Sequence, residues 1–210
     1  MKRRNLSHAF IAALALAALS MPALANDEAP DAFVKRISTD IVESIRADKT
    51  VRTGDLSSIV RLVEVKVMPN LNFQRMAASA VGPSWRNATP AQQAKLQEEF
   101  KTLLVRTYSG AIAQINDQVI VVKPLRYAPE DTELVVRTEI KGRGDPIQLD
   151  YRLEKTPGQG AGWKIFNLNV LGVWLVDTYR GQFAQEINVR GIDGLIATLA
   201  ERNRANSKKV

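Results

Sequence analysis

The chain has no cysteine, and its one histidine is His8. Beyond the first 25 residues it therefore lacks both side chains. That excludes Ser-His-Asp and Cys-His nucleophilic chemistry and the usual zinc sites. It also excludes disulfides, so a fold in an oxidising compartment must be held by packing alone. GxSxG, P-loop and strand-to-helix GxGxxG signatures are missing as well. Enzymes built on Asp, Glu, Lys, Ser or Tyr stay open. Long apolar runs are scarce too. The run Ala9 to Leu19 has 11 residues, well short of the roughly 20 needed to cross a bilayer.

That run makes sense as part of a leader. Lys2, Arg3 and Arg4 precede it, Pro22 breaks it, and Ala23-Leu24-Ala25 satisfies the small-x-small rule for cleavage before Asn26. Residues 1–25 are expected to be a cleaved signal peptide, which places the mature chain outside the cytoplasm. No cysteine at the cleavage site could take a lipid anchor. About 185 of the 210 residues remain, enough for one domain with a proper core. The leader holds three of the 29 basic residues and none of the 22 acidic ones, so the mature charge is about +4. No basic block with interleaved aromatics points to nucleic acid. The domain is expected over 26–202, with a flexible polar tail over 203–210.

The pattern is helical first and β afterwards. Phe33, Val34, Ile37, Ile41 and Ile45 fall on one helical face. A second helix is expected from an Asp55 N-cap to Val67, stopped by Pro69, and a third up to Gly82-Pro83. Thr89-Pro90-Ala91-Gln92 reads as a capping box that opens a long helix to about Ile115. At about 26 residues it would span ~39 Å. After Asn116-Asp117 the period becomes 2. Strands are expected over 118–127, 133–141, 147–154 and 163–170, with a bulge where apolar parity slips between Ile165 and Phe166. Helical segments are expected over 178–187 and around Ile192, Leu195, Ile196 and Leu199. The fold class is α+β: a curved antiparallel sheet of about four strands, half-buried, with helices on its apolar face.

Such a layer pair closes on a solid core or encloses a cavity, and Met76, Phe100, Tyr108, Tyr151, Trp163, Phe166 and Trp174 fit either outcome. Asp150 alternates with the polar face of its strand and is expected to be solvated. Asp177 is expected to cap or pair locally, and Asp117 to belong to a turn. No two carboxylates are brought by spacing onto one apolar face, which argues against general acid-base catalysis. An enzyme using a single Asp on a small hydrophobic substrate is the alternative reading.

Leu62-Val63, Val67-Met68-Pro69-Asn70, Asn72 to Ala77, Gly82, Trp85-Arg86, Ala88 to Gln92, Phe100, Leu103-Leu104 and Tyr108 run in sequence, followed by Trp163-Lys164-Ile165, Gly172-Val173, Tyr179-Arg180, Phe183 and Gly191 to Leu195. This series, spread over nearly all of the mature chain, resembles the MlaC or toluene-tolerance family of periplasmic phospholipid carriers. The resemblance implies a roll akin to nuclear transport factor two with an apolar lipid cavity, a monomer carrying phospholipid as cargo, no cofactor, no metal and no catalysis. It implies as partners an outer-membrane lipoprotein complex and an inner-membrane ABC transporter with a lipid-binding subunit. With inward parity added, the expected lining is Met76, Phe100, Leu104, Tyr108, Ile112, Val136, Ile147, Leu149, Tyr151, Trp163, Phe166, Val173 and Trp174. Arg86 and Arg180 are the expected docking residues.

Overall fold

The computed structural model describes residues 28–206. The expected leader and the last four residues of the expected tail lie outside the described residues. Helix α1, Pro30–Ala47, opens with Pro at its first turn and Asp31 beside the positive end of its dipole. It buries Phe33, Val34, Ile37, Val42 and Ile45 on one face. Asp48 then caps the single turn α2, Lys49–Arg52, accepting from the Thr50 and Val51 N–H groups. Asp55 caps α3, Leu56–Leu62. The hydroxyls of Ser57 and Ser58 and the Ser58 N–H hold its carboxyl down at about 2.

The second helix does not continue regularly to Val67. From Val63 to Val67 it widens into a π turn, followed by a 3-10 turn over Met68–Asn70. Pro69 explains this, because its ring removes an N–H and crowds the carbonyl one turn back. Helix α4, Phe73–Val81, is capped by Asn72 and stops at Gly82, whose φ of 72° suits glycine. A 3-10 segment, Gly82–Asn87, leads to α5, Pro90–Ala113, with 24 residues and the expected Thr89/Gln92 capping box. The final helix α6, Leu175–Asn206, is broken at Gly191 (φ 70°, ψ −172°), which yields the two helical segments expected. It runs four residues into the expected tail. Asn203 there is buried, and its Nδ2 donates to the Glu99 backbone carbonyl at 3.0 Å and its carboxylate at 2.7 Å.

The sheet is an antiparallel meander in sequence order: β1 Val119–Val122, β2 Glu133–Lys141, β3 Ile147–Lys155, β4 Trp163–Val170 and β5 Val173–Trp174. The first strand is shorter than expected, and the fifth is two residues beyond a tight turn. Register slips between Arg152, opposite Asn167, and Leu153, opposite Ile165. Phe166 is thus the bulged residue, as the parity change implied.

Three apolar clusters fill the interior. One sheet face packs Val136, Tyr151, Leu153, Trp163 and Ile165 on Phe33, Val34 and Ile37 of α1. Met76, Leu96, Phe100, Phe183, Leu195 and Leu199 join α4, α5 and α6. Ile45, Val51, Ile59 and Val105 join α1, α2, α3 and α5.

The other sheet face corrects one expectation. Asp150 is 3% exposed, not solvated. The start of α6 and the first turn of α4 cover that face beside β4. Asn167 Oδ1 accepts the Val176 N–H at 3.1 Å, and Asn72 Nδ2 donates to Glu154. Polar residues alternate there because they meet helix ends that need hydrogen-bond partners.

The turn joining β4 to β5 carries Leu171 at φ 54° and 66% exposure. A left-handed leucine costs roughly 1 kcal/mol relative to glycine or asparagine. Leu171→Asn is expected to raise stability by a few tenths to about 1 kcal/mol, read as a higher urea midpoint at unchanged slope.

Candidate functional site

Apolar residues at inward parity divide into filled cores and half-buried fringes. Val136 and Leu153 are fully buried on the α1 face of the sheet. Trp163 is 3% exposed, and its indole donates to the Glu28 carbonyl at 3.0 Å. Tyr151 shares a hydrogen bond of 3.0 Å with Ser38. Burial pushes its phenol up to about 12, although Ser38 and Thr138 pull the other way. Met76 and Phe100 sit in the helical cluster. There the Phe100 ring lies 5.0 Å from Tyr179 and 5.2 Å from Phe183, both edge-on. These side chains hold the scaffold together.

Leu104 is half-buried at the edge of the helical cluster, Ile112 at the edge of the third cluster, and Leu149 with Leu168 at the edge of the sheet cluster. Tyr108, one turn from both Leu104 and Ile112, is also half-buried, and burial raises its phenol. Helix α5 finds its main neighbours in α2, α3, α4 and α6, and no strand is among them. Its Leu104-Tyr108-Ile112 stripe is half-buried along the edges of the helical clusters.

At one end of the sheet the apolar surface is open. Ile147 is 39% and Val173 49% exposed. Val173 pairs with Val170, Val170 with Leu149, and the Leu171 N–H donates to the Gln148 carbonyl at 3.0 Å. Ile147, Leu171 and Val173 therefore crowd one rim. Leu171 and Leu168 are missing from the sequence-derived lining. An apolar residue beside Gly172 in a hairpin turn was the available signal for Leu171.

Two expected lining residues stand apart from this group. The Arg75 guanidinium lies 3.6 Å over the bulged Phe166 ring while pairing with Glu133 and Glu154. Trp174, opposite Asn169 and so on the same face as Asp150, lies under Arg152 at 4.1 Å. Arg152 in turn pairs with Asp177 at 3.2 Å, and Asp117 pairs with Arg143 at 3.1 Å. Arg86 is exposed in the 3-10 segment before α5. Arg180 is exposed but donates from Nε to the Ser79 carbonyl at 2.8 Å, which ties α6 to α4.

Chemistry at the buried carboxylate is structural. One Asp150 oxygen accepts the Thr138 N–H at 3.2 Å, and the other accepts the Gln148 amide at 2.5 Å. Among the described residues no group of three or more His, Cys, Asp or Glu side chains is placed to hold a metal ion.

A five-stranded antiparallel sheet packed against helices, with an open apolar rim at one end, defines an α+β domain. The sequence profile of the MlaC protein family matches residues 35–201. The chain belongs to the MlaC family. Toluene tolerance protein ttg2D of Pseudomonas putida is 25% identical over 186 residues, covering 85% of each chain. The intermembrane phospholipid transport system binding protein MlaC of Haemophilus influenzae is 19% identical over 177 residues, covering 83% of this chain and 82% of its own. A solved structure of the phospholipid-binding protein from Ralstonia solanacearum, in complex with a phospholipid, superposes with a TM-score of 0.81 at 42% identity. It covers 84% of this chain and 98% of that one.

Proposed function

We propose that this chain is a periplasmic phospholipid carrier that moves lipid, unaltered, between an outer-membrane lipoprotein complex and an inner-membrane ABC transporter with its lipid-binding subunit, so maintaining outer-membrane lipid asymmetry. The observation that carries this reading is the 42% identical structure with phospholipid bound, matched over 84% of the chain. The half-buried fringe of Leu104, Tyr108, Ile112, Leu149 and Leu168 is the apolar surface offered to acyl chains, with Ile147, Leu171 and Val173 as its rim.

The energetics suit a shuttle. Two acyl chains carry about 30 methylenes, and at ~0.8 kcal/mol each their exposure would cost ~24 kcal/mol. A bilayer hides the same surface, so transfer from bilayer to protein is nearly balanced and reversible. Direction must come from an ATP-consuming partner. The exposed Arg86 is the charge best placed to steer encounter with such a partner, an effect that salt weakens.

Two measurements test this. Native mass spectrometry of protein purified from cells should show co-purified phospholipid. Incubation with vesicles of labelled phospholipid should give exchange with intact lipid and no net direction. Purification without bound lipid, or steady release of fatty acid or lysolipid in proportion to protein, would overturn the carrier reading.

A further inference from the structure

Helix α5 has a second working flank. Lys101, Thr102, Val105 and Arg106 are spaced i, i+1, i+4 and i+5, so they share one side of the helix, which borders the Leu104-Tyr108-Ile112 stripe at Lys101 and Val105 and turns away from it at Thr102 and Arg106. They line a cavity of about 230 Å³, with Val60 of α3 and Val63 and Glu64 of the π turn on its opposite wall. The walls are aliphatic apart from three charges and the threonine. Two of those charges cancel, because Lys101 Nζ pairs with Glu64.

The third charge has no answer. Arg106 Nε and Nη1 are both shielded from solvent and donate to nothing. Buried N–H donors without acceptors are costly, and more so when charged. The facing wall includes the π turn, a helical geometry that recurs at functional sites. A cavity with aliphatic walls, a net charge of one and free guanidinium donors is complementary to a monoanion with an apolar neighbour.

We propose that this cavity binds the phosphodiester of a glycerophospholipid, at a second site that adjoins the acyl-chain surface but is lined by other residues. A phosphodiester carries one negative charge, which matches the single unpaired guanidinium, and arginine is suited to phosphate oxygens. The glycerol and first methylenes provide the apolar part that Val60, Val63 and Val105 require. At about 230 Å³ the space fits a head group and excludes two acyl chains. The proposal makes no use of the half-buried fringe, and it stands or falls apart from the carrier reading.

The test follows the arginine Nε–H resonances of ¹⁵N-labelled mature protein. Dihexanoyl phosphatidylglycerol is added below its micelle concentration, and inorganic phosphate is added in a parallel titration. One resonance, absent from Arg106→Lys, should shift saturably with the short-chain lipid and little with phosphate at equal concentration. Arg106→Lys and Arg106→Met should each weaken short-chain lipid binding about tenfold or more, while the lipid co-purified from cells, weighed by native mass spectrometry, stays unchanged. No shift in the Arg106 resonance overturns the proposal. Equal response to phosphate overturns its lipid part. Loss of co-purified lipid in a folded Arg106→Lys protein overturns the separation of the two sites. The cargo measurement on the unaltered protein decides the carrier reading independently.

Discussion

Leu149→Asp is expected to strip the protein of phospholipid while leaving it folded, whereas Val136→Asp, two residue pairs along the same sheet face, is expected to unfold it. The two side chains differ in surroundings more than in size. Val136 is fully buried at the centre of β2 against α1. A carboxylate there has no partner and no water, a change on the order of 4 kcal/mol or more. That is a large part of the roughly 5–15 kcal/mol that holds a domain together. Leu149 is at the half-buried edge of the same cluster. An aspartate there reaches water, costs roughly 1–2 kcal/mol, and sets a charge beside the acyl-chain surface. Thermal melts and lipid phosphorus per mole of protein separate the two outcomes. A folded Leu149→Asp protein that still purifies fully loaded would remove Leu149 from the lipid surface.

Phe100→Ala should be the most damaging truncation on the helical side. Phe100 is 1% exposed and touches three aromatic rings, with Phe73 at 5.8 Å in addition to Tyr179 and Phe183. Removing a buried phenylalanine costs roughly 3–5 kcal/mol, and edge-on ring pairs add to what is lost. For a chain of this size that corresponds to a fall in Tm of roughly 10 °C or more. Calorimetry reads it directly. A shift of only one or two degrees would mean that the cluster collapses onto the gap and that Phe100 is not its centre.

What the sequence made legible follows from how local each signal is. The α5 capping box, the Asp55 cap, the β2 and β3 spans and the Phe166 bulge all depend on residues within a few positions of one another. The face of β3 carrying Asp150 was misjudged because polar alternation looks the same whether water or a helix end supplies the hydrogen bonds. Only the tertiary contacts of Asn167 with the start of α6, and of Glu154 with Asn72, distinguish the two. The candidate lining was read from parity, which names a face and not a depth. Parity therefore grouped core residues such as Val136 and Phe100 with fringe residues such as Leu149 and Tyr108. It also missed Arg106, since nothing in a sequence distinguishes an arginine whose donors are buried from one in solution.

The partition of the interior into three clusters has a mechanical consequence. Leu71, bridged to Ile165, packs on the fringe of both the helical and the sheet cluster and so sits on the seam between two separately filled interiors. Parting the clusters along that seam would leave each close-packed interior intact but would break the Asn167–Val176, Asn72–Glu154, Arg75–Glu154 and Arg152–Asp177 ties that cross it. The two halves are fastened by polar clasps across a seam and not by one shared core, so loosening the seam need not melt either interior.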